Sequence, residues 1–225
     1  MFPAALETHD MATRPAKCCK AADYSLRSAC SLALPFLLLH SQPPADAISA
    51  HDMPLIRPSQ EEDIPAITAI YAYHVSHGTG TFETEPPTTA DMAGRRMDVL
   101  SRKLPYLVTE EAGRITGFAY CNWFKPRPAY RFSAEDSIYL AADAHGRGLG
   151  RALLEELANQ AQMAGVRKLI AVIGDSANHG SVGVHRACGF TEVGILKSCG
   201  WKFGQWRDVV LMEKTLGAGD TTAPE

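Results

Sequence analysis

The chain has 225 residues, of which 46% are hydrophobic and 21% charged, with a formal net charge of -3. That length suits one well-cored domain with an appendage and is short for two. The weakly acidic balance lacks the basic stripe of a nucleic-acid binder, and no apolar run reaches the roughly 18 residues that span a bilayer, so neither nucleic acid nor membrane is an expected partner.

Near the N-terminus, Leu32 to Leu39 is the longest apolar run, interrupted by Pro35. Lys17, Lys20 and Arg27 before it and Ala45, Ala47 and Ala50 after it imitate a secretory signal. The charged region ahead of the run is unusually long for one, and Met53 offers another start. Residues 1–53 are therefore read as a disordered extension or a misassigned start, 54–216 as the domain, and 217–225 as a disordered tail. Cys18, Cys19, Cys30, Cys121, Cys188 and Cys199 form no CxxC pair and no zinc spacing. They read as thiols of a reducing, cytoplasmic compartment, and no metal is expected.

From Leu55 onward the periodicities become legible. Leu55 to Arg57 predicts a short strand stopped by Pro58. Glu61-Glu62-Asp63 opens a helix carrying Ile64, Ile67, Ile70 and Tyr71 on one face, its acidic first turn suiting the helix dipole. The loop His77 to Thr81 leads to a second helix, Thr88 to Lys103, which begins at a threonine cap. Strands Tyr106 to Glu111 and Ile115 to Phe124 meet at Ala112-Gly113, and the loop Lys125 to Phe132 precedes a strand from Glu135 to Leu140. Leu149 to Ala164 is an amphipathic helix with Leu149, Leu153, Leu157 and Ala161 in line and Leu154 widening the stripe. Leu169 to Ile173 is wholly apolar and predicts a buried strand. A helix runs from an Asn178 cap to a left-handed Gly189, and strands over Thr191 to Cys199 and Gln205 to Lys214 close a mixed α/β domain.

The most informative segment is Ser137-Ile138-Tyr139-Leu140 followed by His145-Gly146-Arg147-Gly148-Leu149-Gly150-Arg151. A strand enters a turn with glycines at alternate positions, inside which a helix begins. Without side chains, successive backbone N–H groups can converge on an anion beside the positive helix end, and Arg147 and Arg151 add charge. A pyrophosphate fits. A P-loop would need Lys-Ser or Lys-Thr where Arg151 stands, and a Rossmann turn would need different glycine spacing and a later acidic residue. The turn resembles Q/R-x-x-G-x-G/A, the coenzyme A loop of GNAT-type N-acetyltransferases, with His145 departing from the usual Arg or Gln.

With that turn in place, the chain resembles the phosphinothricin and methionine sulfoximine acetyltransferase branch of the GNAT superfamily. The matching stretches, in order, are Thr81 to Pro86, Lys125 to Tyr130, Glu135 to Tyr139, Ala171 to Gly174, Val184-His185-Arg186 with Gly189-Phe190, and Gly200 to Asp208. The resemblance implies a GNAT fold: a single α/β domain with a mixed, mostly antiparallel central sheet flanked by helices. It implies acetyl-CoA as cosubstrate, a small-molecule amine as acceptor, and a homodimer. Ile138, Tyr139, Leu140, the turn from His145 through Gly146, Arg147, Gly148, Leu149 and Gly150 to Arg151, and then Asn178 and Ser181 fall on the coenzyme side. Phe82, Lys125, Pro126, Arg127, Tyr130, Arg131, Glu135, Asp136 and Ser137 fall on the side of an amino-acid-like acceptor, with Arg127 and Arg131 as anion clamps.

Glu135 occupies the position of the family's catalytic carboxylate. The residue type suits the chemistry, since an ammonium group must lose a proton before it attacks a thioester. Strand alternation points Asp136 the other way. His185 stands where many relatives carry the tyrosine that protonates the departing thiolate; an acid and a structural histidine are both open readings. Asn178 is open between a coenzyme contact and a helix cap, Phe82 between pocket wall and core. The mechanism implied is direct transfer, because neither Cys121 nor Cys188 has a recognisable activating partner for a covalent route. A non-catalytic acetyl-CoA-binding module and an enzyme acting on a protein N-terminus or another amine are the alternatives. The basic loop disfavours a polyamine, and the retained Glu135 and His185 disfavour the module.

Overall fold

The computed structural model describes residues 54–224; the signal-like run and the reading of residues 1–53 lie outside them. β1 (Leu55–Pro58) leads to a 3-10 turn over Glu61–Asp63 and then α1 (Ile64–His77). The acidic run thus precedes the α-helix rather than forming its first turn. Asp63 folds back to accept from Gln60 N at 2.7 Å and from Arg57 Nη1 at 2.7 Å, which tightens the entry. α2 (Thr89–Ser101) starts where predicted, Thr88 Oγ1 accepting from Asp91 N at 3.1 Å and Asp91 Oδ2 from Thr88 N at 2.9 Å. It stops short of Lys103, which takes φ +60° and reverses the chain. β2 (Tyr106–Glu111) and β3 (Arg114–Trp123) follow, then β4 (Ser133–Leu140), α3 (Leu149–Met163), β5 (Lys168–Gly174), α4 (His179–Ala187), β6 (Thr191–Lys202) and β7 (Gln205–Thr215). Beyond β7, Arg167 Nη1 donates to Gly219 O at 3.1 Å and holds a turn against the domain.

The seven strands form one sheet in the order β1-β2-β3-β4-β5-β7-β6, and only β4 and β5 run parallel. α1 and α2 cover the face that carries Tyr106, Phe118, Tyr120 and Tyr139. There Tyr71 meets Tyr139 edge-on at 4.9 Å and Tyr106 stacks on Tyr120 at 4.9 Å. α3 and α4 cover the other face, with the predicted stripe of Leu149, Leu153, Leu154, Leu157 and Ala161 buried against β2, β3 and β4. Each such leucine contributes about 2 kcal/mol of apolar burial. In β5, Leu169, Ala171 and Ile173 are buried as predicted, but Val172 is exposed. It lies on the face where the helices stop at β4, beside the place where β5 loses its neighbour.

Candidate active site

β4 and β5 pair over only four registers, from Ser133↔Lys168 to Asp136↔Ala171. β4 continues to Leu140 on β3 alone, and β5 continues to Gly174 on β7 alone. The strands therefore fork at Asp136; Tyr139 turns its backbone groups to Phe118 of β3, and those of Ile138 and Leu140, which a partner strand would take, face a cleft. One of them is already engaged: His74 Nε2 donates to Leu140 O at 2.8 Å. Burial lowers the His74 pKa, so the ring is neutral with its proton on Nε2. No sequence signal marked His74, which reaches β4 from α1.

Glu135 stands one residue before the fork, on the α1 and α2 face. Its pKa is raised, by burial first and then by the Asp136 charge, with Lys125 opposing. Among the described residues its carboxyl is engaged in no side-chain hydrogen bond or ion pair. A half-buried, unengaged carboxylate of raised basicity at the head of a cleft is suited to accept a proton. Ser137 shares this face and pairs in register with Tyr120.

At the far end of the cleft, Gly146 and Gly148 take φ +75° and +80°, left-handed values that favour glycine. Gly148 is the N-cap of α3 and supplies no side-chain cap. The first-turn N–H groups of Leu149, Gly150 and Arg151 thus have no intrahelical acceptor. Gly150 lies under β4, where a Cβ would sit 3.3 Å from Leu140 Cδ1. Arg147 pairs with Glu111, and Arg151 Nε donates to Glu155 Oε1 at 2.8 Å. Both arginines are exposed, and such surface pairs hold weakly, so both can turn to an anion. His145 is exposed beside them. A coenzyme diphosphate fits this cradle of free N–H groups and exposed cations.

Asp136 leaves the sheet on the opposite face from Glu135, as alternation predicts, and not on the acceptor side where the resemblance grouped it. Its Oδ2 accepts from His185 Nε2 at 2.9 Å, and both side chains are 2% exposed or less. His185 Nδ1 donates to Ser181 O at 2.8 Å. Asn178 caps α4, accepting from Ser181 N at 3.2 Å, so Asn178 and Ser181 build the helix entry that holds His185. Cys121, pushed up to about 12 by burial and the Asp136 charge, is an inert thiol, and burial raises Cys188 as well.

The loop between α1 and α2 packs over β5 and β6. Thr79 O lies over Gly174 and the Phe82 ring over Gly200, each where a Cβ would stand. Lys202, 3% exposed, donates from Nζ to Thr81 O at 2.7 Å; burial lowers its pKa. Tyr71 donates to Glu83 Oε1 at 2.9 Å, and Arg95 pairs with the same carboxylate at 2.7 Å. Neither Lys202 nor this Tyr71–Glu83–Arg95 group was legible in the sequence. Pro126, Arg127, Tyr130 and Arg131 lie exposed on the loop before β4. Arg131 rests 4.5 Å from the centre of the Phe132 ring and Lys125 4.7 Å from that of Phe124. Of these cations, Lys125 is the one whose charge reaches Glu135.

Residues 56–211 match the acetyltransferase (GNAT) domain family. The chain is 52% identical over 170 residues to a phosphinothricin N-acetyltransferase of Alcaligenes faecalis, covering 76% of this chain and 86% of that protein. It is 34% identical over 165 residues to an L-methionine sulfoximine/L-methionine sulfone acetyltransferase of Pseudomonas aeruginosa, covering 72% and 94%. A crystal structure of a GNAT superfamily phosphinothricin acetyltransferase from Sinorhizobium meliloti, in complex with AcCoA, superposes with a TM-score of 0.74 at 41% identity, covering 76% of this chain and 93% of that one. A forked β4–β5 pair, a left-handed glycine turn and these similarities converge: the chain belongs to the GNAT acetyltransferase family.

Proposed function

We propose that the protein transfers the acetyl group of acetyl-CoA to the amino group of a small amino-acid-like molecule of the phosphinothricin, methionine sulfoximine or methionine sulfone type. The observation that carries this reading is the position of Glu135: an unengaged carboxyl of raised pKa at the fork, on the side opposite the buried Asp136. The turn from His145 to Arg151 receives the diphosphate, and the free edge of Ile138 to Leu140 receives the pantetheine arm. Glu135 takes a proton from the acceptor's ammonium group, directly or through water. The amine then attacks the thioester carbonyl, a backbone N–H at the cleft meets the developing oxyanion, and the C–S bond breaks to release the coenzyme thiolate, which takes up the second proton shed by the acetylated nitrogen. Lys125, Arg127 and Arg131 supply the positive charge that an acceptor carboxylate seeks, beside Phe82, Tyr130 and Ser137.

The protein works in the cytoplasm, where acetyl-CoA is supplied, and without a metal ion. It acts as a homodimer, a reading supported by the exposed apolar residues Val193, Ile195, Leu196, Trp201 and Trp206 on the outer strand and its hairpin. A thiol-release assay with acetyl-CoA tests the activity against phosphinothricin, methionine sulfoximine, methionine sulfone, natural amino acids and a peptide with a free N-terminus. Release with the analogues and little with the peptide is expected; release with the peptide alone overturns the acceptor class.

A further inference from the structure

Asp136 and His185 sit on the reverse side of the fork from Glu135, and their geometry restricts what the histidine can do. Both ring nitrogens of His185 face oxygen acceptors, Ser181 O at 2.8 Å and Asp136 Oδ2 at 2.9 Å. A neutral ring donates through one nitrogen only, so with Asp136 as the carboxylate this double engagement calls for the imidazolium form, each charge meeting the other. The ring is 2% exposed and closed off on another side by Phe190, whose ring stands edge-on at 5.0 Å. No nitrogen is left to approach a sulfur in the cleft. Asp136, in turn, is the last residue of β4 that pairs with β5. The contact therefore ties α4 to the apex of the fork, one residue from Glu135.

We infer that His185 is a positioning residue rather than the proton donor to the leaving thiolate: as a locked imidazolium it holds Asp136, and Asp136 fixes the fork and the charge environment from which Glu135 works. The inference deepens the reading of Glu135 as the base and rests on it. Around the pair stand Cys121 on β3 and Cys188 at the end of α4; around Glu135 stand Lys125 on the preceding loop and Tyr120 on β3. Asp136 is the group of this set whose anionic charge lies beside Glu135 and raises its basicity.

The first test reads the wild-type protein, and a variant serves only to assign one signal. Nitrogen NMR of the imidazoles, with the His185 signal identified by its loss in His185→Gln, should show both nitrogens protonated from about pH 6 to about pH 8 and unmoved by acetyl-CoA. A ring that titrates within that range as a neutral tautomer overturns the inference. The second test is kinetic. Asp136→Asn keeps a hydrogen-bonding group of the same shape but removes the charge. It should move the acid limb of the kcat/KM profile to lower pH and leave the basic limb in place; a shifted basic limb would return His185 to the role of acid. The double variant Asp136→Asn with His185→Gln holds no titratable group at either position, yet should keep kcat within about 10-fold, whereas loss of an acid costs about 100-fold or more. Glu135→Gln is assayed in parallel. If it retains turnover, the base assignment fails, while the NMR still decides the state of His185.

Discussion

The carbonyl oxygen of Thr79 lies over Gly174, in the space that a Cβ at that position would occupy. Two backbones meet there with nothing flexible between them, the end of β5 below and the loop between α1 and α2 above. Gly174→Ala therefore has to lift the loop. A loss of about 1–3 kcal/mol in urea denaturation is expected, with a raised KM for the acceptor and acetyl-CoA affinity kept. An alanine variant with wild-type stability and KM would show that the loop is free to move.

Gly148 combines φ +80° with the N-cap position of α3. Gly148→Val brings a branched side chain to a left-handed backbone, at a strain of about 1–2 kcal/mol, and covers the N–H groups beneath it. Isothermal calorimetry should record at least a 10-fold weaker Kd for acetyl-CoA. Binding at wild-type strength would separate the turn from the diphosphate.

Glu135 sits above its ordinary pKa because it is buried and neighbours Asp136. The base form gains as pH rises, so kcat/KM should climb through an acid limb placed above the usual carboxylate value of about 4.3. Glu135→Gln should remove that limb and lower kcat about 100-fold or more while calorimetry with acetyl-CoA is unchanged. An acid limb that persists in the variant assigns it to another group.

His185 meets opposition from burial, yet the hydrogen bond and attraction of Asp136 carry its pKa above the ordinary 6.5. A histidine raised on folding adds stability that is fully present below the unfolded value and is lost as pH rises through the folded value. Urea denaturation across that interval should therefore give a midpoint that falls with rising pH. In Asp136→Asn, whose amide can donate to a neutral ring, the fall should flatten; an unaltered slope would assign the pH dependence elsewhere.

Much of this protein was legible before any coordinates. The caps at Thr88 and Asn178 and the left-handed Gly189 act within a few residues of themselves, so their geometry follows from the local chain. The α3 stripe and the turn before it are likewise short-range patterns, and together with the resemblance they are what places the proposed coenzyme end of the site there. Strand alternation separated Glu135 from Asp136 for the same reason. What only the tertiary structure decided joins distant segments: His74 with Leu140 across 66 positions, Lys202 with Thr81 across 121, and His185 with Asp136 across 49. Periodicity says which face a residue takes but not which strand or helix lies opposite. That is set by sheet order and by where β4 and β5 stop pairing, and it is the fork that puts Glu135 beside a cleft and closes His185 inside.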